Sequence, residues 1–331
     1  MRIFRLLPLW AAALPFAVSA AEQKPYSAQT RLGIEGARWT INGRITYPGA
    51  EAEGLLMNVR MVNSTFEDRV KPEFDPDANT SAFLARLDEY KAHGALAFTL
   101  CLQGGHCGYE GAINSAFRPD GSLRRAYLDR VARVIEACDA RGMAAILSCY
   151  YQRQDQILRD EAAVRRGVAE AAKWIARRGY ANVALEIANE FPHSGFDHAI
   201  IRDPEGEAEL IRLAREANPD LLVSSSGLGT GKMADAVSEA ADFILIHFNE
   251  TKPELIPERI EAVKRFGKPI VCNEDQKLGA TAVEAMRAAV ASGASWGFMH
   301  AQRNQYWPFE FSGAADDPLV YGAMQELTAR R

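Results

Sequence analysis

The chain has 331 residues, 48% of them hydrophobic, and a formal net charge of −5. This composition excludes a disordered or fibrous chain, and the acidic balance, with no Lys/Arg-dense run, excludes the basic footprint of a nucleic-acid binder. With a leader set aside, the length fits two ordinary domains or one large α/β barrel, whose usual size is ~250 residues plus loops.

Residues 1–20 hold Arg2 and Arg5, an apolar run from Leu6 to Val18, and Val18-Ser19-Ala20 ahead of Ala21. That is the layout of a secretory signal peptide. A membrane anchor is the alternative, but the stretch is short for a span and contains Pro8 and Pro15. The expectation is a cleaved leader, export to the periplasm or the medium, no membrane association after cleavage, and a mature domain over residues 21–331. Next, the segment from Trp39 to Tyr47 reads as a β-hairpin turning at Asn42-Gly43, placed to close the bottom of whatever follows.

From there the chain alternates short apolar runs with longer amphipathic ones, eight times over. Strands are expected at 55–60, 95–102, 144–149, 183–188, 221–225, 243–247, 269–273 and 296–300. Helices are expected at 81–92, 123–140, 161–177, 207–217, 233–240, 257–265, 281–291 and 320–329. Gly94, Gly142, Gly179, Pro219, Gly267 and Gly293 supply stop signals before the next strand. Eight strands, each followed by one helix, predict an α/β fold of one domain, a closed (β/α)8 TIM barrel with a short N-terminal β-hairpin, rather than an open doubly wound sheet.

Five cysteines are present: Cys101, Cys107, Cys138, Cys149 and Cys272. Three fall in strand-like runs, where a free Cys acts as a small buried hydrophobe. Export permits a local bridge between Cys101 and Cys107. No C-x-x-C pair suggests zinc, the histidines are scattered, and neither a metal nor an organic cofactor is expected.

Reacting groups in such a barrel stand at the carboxyl ends of the strands. That filter selects Arg60, Asn63, Gln103, His106, Tyr150, Tyr151, Gln152, Asn189, Glu190, Ser226, His247, Asn249, Glu274, His300 and Gln302. Two of these are carboxylates facing each other across the mouth, Glu190 after the fourth strand and Glu274 after the seventh. Hydrolysis of a glycosidic bond with retention needs such a pair, one as proton donor and one as nucleophile, about 5 Å apart. The donor must be protonated at working pH, so burial and the charge of Glu274 are expected to raise the pKa of Glu190.

The segment Leu185-Glu186-Ile187-Ala188-Asn189-Glu190 resembles the strand-4 motif of glycoside hydrolase clan A. Lys268-Pro269-Ile270-Val271-Cys272-Asn273-Glu274 resembles that clan's strand-7 motif, and the element order is closest to the cellulase-like enzymes of family 5. The resemblance implies Glu190 as acid/base, Glu274 as nucleophile and Asn189 as partner of the sugar 2-hydroxyl. It implies an oligo- or polysaccharide substrate with β-glycosidic bonds, while the charge balance above leaves no nucleic-acid partner expected. Asn249-Glu250 repeats the Asn-Glu dipeptide after the sixth strand, where Glu250 is expected to be a solvated loop residue.

The sequence departs from the clan at two places. His247 ends the sixth strand, where the clan often follows a His two residues on with a Tyr that bonds the nucleophile; here that position is Asn249, and the tyrosine's part is vacant or filled from elsewhere. Tyr150 or Tyr151 could reach inward in its place, and His247 itself reads equally well as a core histidine. The eighth strand ends in His300 rather than an aromatic platform, leaving Trp307 either to stack on a sugar or to pack its own loop down. Arg60 either steadies the nucleophile carboxylate or pairs with Glu67 or Asp68. Alternative readings on the same barrel are an inactive carbohydrate-binding protein and a transglycosylase using the same glutamates. A metal-dependent hydrolase would call for His-x-His after the first strand, where Asn58-Val59-Arg60 stands.

Overall fold

A computed structural model describes residues 25–69, 73–104 and 112–331. The expected leader, His106 and Cys107 lie outside the described residues. The chain opens with a three-stranded antiparallel ribbon, β1 (Leu32–Glu35), β2 (Arg38–Ile41) and β3 (Arg44–Ile45). Asn42 and Gly43 both take positive φ at the β2–β3 turn, the conformation a tight hairpin demands and Asn-Gly supplies. The first of these strands was not expected from the sequence; Arg38–Ile41 pairs with it as well as with β3.

Eight parallel strands follow: β4 (Asn58–Arg60), β5 (Ala97–Cys101), β6 (Ala144–Tyr150), β7 (Val183–Ala188), β8 (Leu222–Ser224), β9 (Ile244–His247), β10 (Ile270–Glu274) and β11 (Gly297–Phe298). Six form a continuous sheet in the order β11-β4-β5-β6-β7-β8, and β9 pairs with β10. Parallel bridges from Ser226 to Leu245, from Val271 to Ser295 and from Asp275 to Phe298 link the two pieces on both sides. The eight strands therefore close into a (β/α)8 barrel.

Helices α1 (Pro76–Leu84), α2 (Leu87–Ala92), α3 (Arg125–Asp139), α4 (Glu161–Arg178), α5 (Ala199–Arg202), α6 (Pro204–Ala217), α7 (Asp235–Ala240), α8 (Ile256–Lys264), α9 (Gly279–Ala291) and α10 (Pro318–Thr328) surround it. Their starts follow local capping chemistry. Asp75 accepts from the amides of Asp77 and Ala78, with Pro76 opening α1; Asp203 does the same for α6 ahead of Pro204. Those Asp-Pro steps start both helices earlier than their apolar periodicity suggests. Asp160 caps α4, and Gly179 ends it in the left-handed region at φ +74°, a position that favours glycine.

Interior side chains set the height of the site. At the bottom, Ala97, Ala144 and Ala184 leave room that Leu32 and Trp39 of the ribbon fill, with Trp39 edge-on to Phe243 at 5.2 Å. A buried aromatic of this kind removes about 150–250 Å² from water, so the ribbon seals the barrel floor as its position before the first strand suggests. Above that apolar plug lies a polar layer including Asn58, Thr99, Ser148, Glu186, Ser224 and Asn273, all fully buried. Between strands and helices, a continuous apolar layer including Val59, Phe98, Leu147, Ile187, Ile246 and Cys272 holds the barrel together. Cys101, Cys138, Cys149 and Cys272 are buried free thiols.

Candidate active site

Side chains alternate along a strand, so Val271, which faces the floor, and Cys272, which faces the helices, fix the parity of β10. Continued regularly, that parity would turn Glu274 outward. A register shift between Cys272 and Glu274 breaks it: Cys272 pairs with Ile246, Glu274 with the adjacent His247. Such a bulge re-aims a side chain, and here both Asn273 and Glu274 reach the interior.

Glu190 is placed by a different device. It follows β7 in the left-handed region at φ +53°, an uncommon conformation for a residue with a side chain. Ser226, after β8, holds it there: its Oγ accepts the Glu190 amide at 2.9 Å, and its carbonyl accepts the Phe191 amide at 3.0 Å.

One oxygen of Glu190, one of Glu274 and a ring nitrogen of His247 all lie within 4.8 Å of one another. His247 is completely buried, with Nδ1 at 3.2 Å from Glu190 Oε1 and 3.6 Å from Glu274 Oε2, and Nε2 at 2.9 Å from Asn273 Oδ1. Arg60, also buried, puts Nε 2.9 Å from Glu274 Oε2 and donates from Nη2 to Asn189 Oδ1 at 2.7 Å. Glu67 does not compete for it, being paired with Arg124 and with Arg130. Asn189 is clamped further by Gln152, whose Oε1 accepts its Nδ2 at 3.2 Å.

The electrostatics differ from the expectation for Glu190. Burial pushes its carboxyl up, but the hydrogen bond and charge of His247, with Arg60 and His193, outweigh burial and leave the pKa lowered. His247 shows the complement: burial lowers its pKa, while Glu274 and Glu190 raise it to a net increase. The two shifts are complementary: the contact favours the carboxylate form of Glu190 and the protonated form of His247. Below them Glu186 is fully buried and its pKa is raised by burial, with Arg60 and His247 opposing.

The other expected residues divide. Tyr151 reaches the mouth, packing on Val62 and Cys101 with the Arg60 guanidinium 6.0 Å from its ring centre. Tyr150 does not: its hydroxyl donates to the Val164 carbonyl of α4 at 2.6 Å, and its ring lies against Phe117. His300 shares the outward face of β11 with Phe298, and the charges that act on it are Asp316, Arg303 and Asp317, not the two glutamates. Trp307 is 53% exposed on the loop after β11, edge-on to Phe74 at 5.5 Å and Phe309 at 5.9 Å. Glu250 is exposed.

Sequence reasoning missed the part of Asn249, whose Nδ2 donates to Glu274 Oε1 at 2.5 Å. It also missed Ser226 as the clamp on Glu190 and Asn273 as the acceptor for His247. Glu190, His247 and Glu274 are close enough to offer ligands to a metal ion. Arg60 already supplies a buried positive charge against Glu274 Oε2, and a divalent cation beside it would meet strong repulsion in that low-dielectric setting.

No family model and no curated protein sequence matches the chain. Solved structures do. The chain is similar to an endo-1,4-β-mannanase from Eisenia fetida, with a TM-score of 0.61 and 13% identity over 92% of this chain and 96% of that one. It is similar to a glycoside hydrolase 5 lichenase from Caldicellulosiruptor sp. F32 in complex with cellotetraose, with a TM-score of 0.58 and 13% identity over 94% and 100% of the two chains. A broad-specificity GH5-4 endoglucanase from Clostridium acetobutylicum gives 0.54 and 11% over 82% and 97%. At these identities the likeness establishes the fold, a (β/α)8 barrel.

Proposed function

We propose that the chain is a retaining glycoside hydrolase that cleaves β-glycosidic bonds of an oligo- or polysaccharide, with Glu274 as nucleophile and Glu190 as acid/base. One observation carries the reading: oxygens of the two carboxylates lie within 4.8 Å of each other at the mouth of the barrel. Inverting enzymes hold their carboxyl groups ~6.5–9.5 Å apart to admit a water, whereas retaining ones hold them at ~5–5.5 Å. The structural neighbours, a mannanase, a lichenase and an endoglucanase by name, support a β-1,4-linked glucan or mannan as the first substrates to try. The leader-like residues 1–20 add export to the reading.

Glu274, paired with Arg60, attacks the anomeric carbon while Glu190 protonates the leaving oxygen. The proton reaches Glu190 from His247 Nδ1 along the 3.2 Å contact already present. A bound sugar excludes water and raises the cost of an ionised Glu190, which draws that proton across. The resulting glycosyl-enzyme ester is then hydrolysed by a water that Glu190, now basic, deprotonates. Asn189, the residue before Glu190, accepts from Arg60 through Oδ1 and donates to Gln152 through Nδ2, which leaves its second N–H for a sugar hydroxyl.

The test is release of reducing ends from β-glucan and mannan, and of aryl leaving groups from β-glycosides, by wild type, Glu274→Ala and Glu190→Ala. Losses of several orders of magnitude in both variants, with azide restoring turnover of an activated glycoside in Glu274→Ala, support the assigned roles. Cleavage by wild type with neither variant impaired overturns them.

A further inference from the structure

We propose that Asp275 is a positioning residue for the nucleophile: its buried ion pair with Lys277 specifies the bulged register of β10 and so keeps Glu274 turned into the barrel. The inference rests on the reading of Glu274 as nucleophile.

The bulge shows from both neighbours of β10. Toward β9, Cys272 pairs with Ile246 and Glu274 with the adjacent His247. Toward β11, Val271 bridges to Ser295 and Asp275 to Phe298, so β10 spends one residue more than its partner over the same stretch. A regular strand continued from Val271, which faces the floor, would send Glu274 toward the helices and Asp275 into the mouth. The two registers differ by one residue, and a slip of that size exchanges the faces.

The contacts that favour the bulge lie on the outward side. Asp275 is fully buried, and its Oδ2 accepts the indole Nε1 of Trp296 at 3.0 Å. Its Oδ1 accepts Lys277 Nζ at 2.9 Å, and the same ammonium donates to the Phe248 carbonyl at 2.6 Å, tying the end of β10 to the end of β9. The Asp275 amide donates to the Gly297 carbonyl, and its carbonyl accepts the Met299 amide, each at 3.0 Å. Trp296 belongs with Phe298 to the apolar layer between strands and helices, so the carboxylate reaches its indole donor only with Asp275 outward. On the other side of the bulge, Asn58 Nδ2 donates to the Cys272 carbonyl at 3.0 Å. It does so past Gly297, where a Cβ would strike Asn58 Oδ1 and come within 2.7 Å of that carbonyl oxygen.

A slip to the regular register would part Asp275 from both Lys277 and Trp296. The net worth of a buried ion pair is small, but a buried charge without its partner is costly. The pair therefore acts on the choice between registers more than on the stability of the barrel.

The double variant Asp275→Asn/Lys277→Met removes both charges together and strands neither, while Trp296→Phe removes only the indole donor. Both are compared with wild type and Glu274→Ala for turnover of 2,4-dinitrophenyl β-cellobioside and β-mannobioside, with and without azide, beside a thermal melt. The double variant is expected to melt cooperatively and to lose on the order of 100-fold in kcat, the cost of a misplacement of about 1 Å, with KM little changed. Trp296→Phe is expected to lose less. Azide is expected to restore part of the lost turnover in both, as in Glu274→Ala. It enters the place the carboxylate has left and attacks the anomeric carbon as the bond to the dinitrophenolate breaks, giving a glycosyl azide of inverted configuration. Loss of turnover without azide rescue, or no loss in either variant, overturns the inference and leaves the proposed function standing. If the double variant does not fold, Trp296→Phe decides by the same criteria. Turnover of neither glycoside by wild type, or full activity in Glu274→Ala, fells the proposed function and this inference with it.

Discussion

Arg60 Nε lies 2.9 Å from Glu274 Oε2, and both side chains are almost wholly removed from solvent. The same guanidinium donates to Asn189, so one residue orients the proposed nucleophile and the amide beside the proposed acid/base. Removing one partner of a buried ion pair typically costs about 3–5 kcal/mol because the other charge is left uncompensated. Arg60→Met is therefore expected to lower the urea midpoint strongly and to abolish hydrolysis. Arg60→Lys keeps the charge but loses the planar fork that serves both partners. It is expected to retain most of the stability and to lose activity by on the order of 100-fold, about 2.7 kcal/mol of transition-state binding. Equal activity in Arg60→Lys and wild type would show that charge alone is required.

The 3.2 Å contact between His247 and Glu190, with their opposite pKa shifts, sets an expectation for the pH–rate profile. In wild type the pair keeps a proton until pH rises through the raised pKa of His247, so the basic limb of kcat/KM reports the imidazole as much as the carboxyl. In His247→Ala the proton must sit on Glu190 alone, and the basic limb is expected to move to lower pH by about one unit or more. An unchanged basic limb in the variant would mean that His247 plays no part in holding the proton.

How much of this was open to inspection in the sequence depends on whether strand periodicity held. Eight strand–helix repeats, the floor-sealing hairpin and the two strand-end glutamates were legible, because each is a local pattern or a position in a count. Failures occur where a strand leaves its period. Parity from Ser148 favours Tyr150 as the inward residue, yet the end of β6 turns so that Tyr150 bonds α4 and Tyr151 enters the mouth. His300 follows Phe298 on the outward face, which the end of so short a strand did not declare. The bulge that brings Glu274 inward leaves no mark in composition. Asn249, Ser226 and Asn273 act across strands, on partners 25, 36 and 26 residues away, and no local spacing encodes that.

Behind β7, Glu207 of α6 is fully buried, with Oε1 at 2.5 Å from Ser225 Oγ, which in turn meets the backbone of Ala188 just ahead of Asn189-Glu190. Burial pushes its carboxyl up to about 8 from an ordinary value of 4.5, with the Ser225 hydrogen bond opposing and Glu186 adding to the rise. Between those two values the folded state holds a proton that the unfolded state has released. The stability associated with Glu207 is therefore fully present below the lower value and is lost as pH rises to about 8, beyond which it no longer changes. Glu207→Gln can still hydrogen-bond Ser225 but does not titrate. Its Tm is expected to fall less than that of wild type between pH 5 and 8; parallel curves would place the carboxyl's titration elsewhere.

Trp307 separates two roles that the sequence left open. Its ring is half exposed, and it meets Phe74 and Phe309 in T-shaped contacts at 5.5 and 5.9 Å. The Phe66, Phe74 and Phe309 rings pack on one another at 5.1–6.4 Å beneath it, and the loop is further tied down where Asn63 Nδ2 donates to the Gln305 carbonyl at 2.6 Å and Asn304 Nδ2 to Asp316 at 2.8 Å. Those ties do not need Trp307. A platform role predicts that Trp307→Ala raises KM on a polymeric substrate by roughly tenfold, about 1.4 kcal/mol of binding, while kcat and Tm stay near wild type. A packing role predicts the reverse, a lowered Tm with KM unchanged. With the ring half exposed and the loop held by other residues, the first outcome is the one expected from steady-state kinetics run beside a thermal melt.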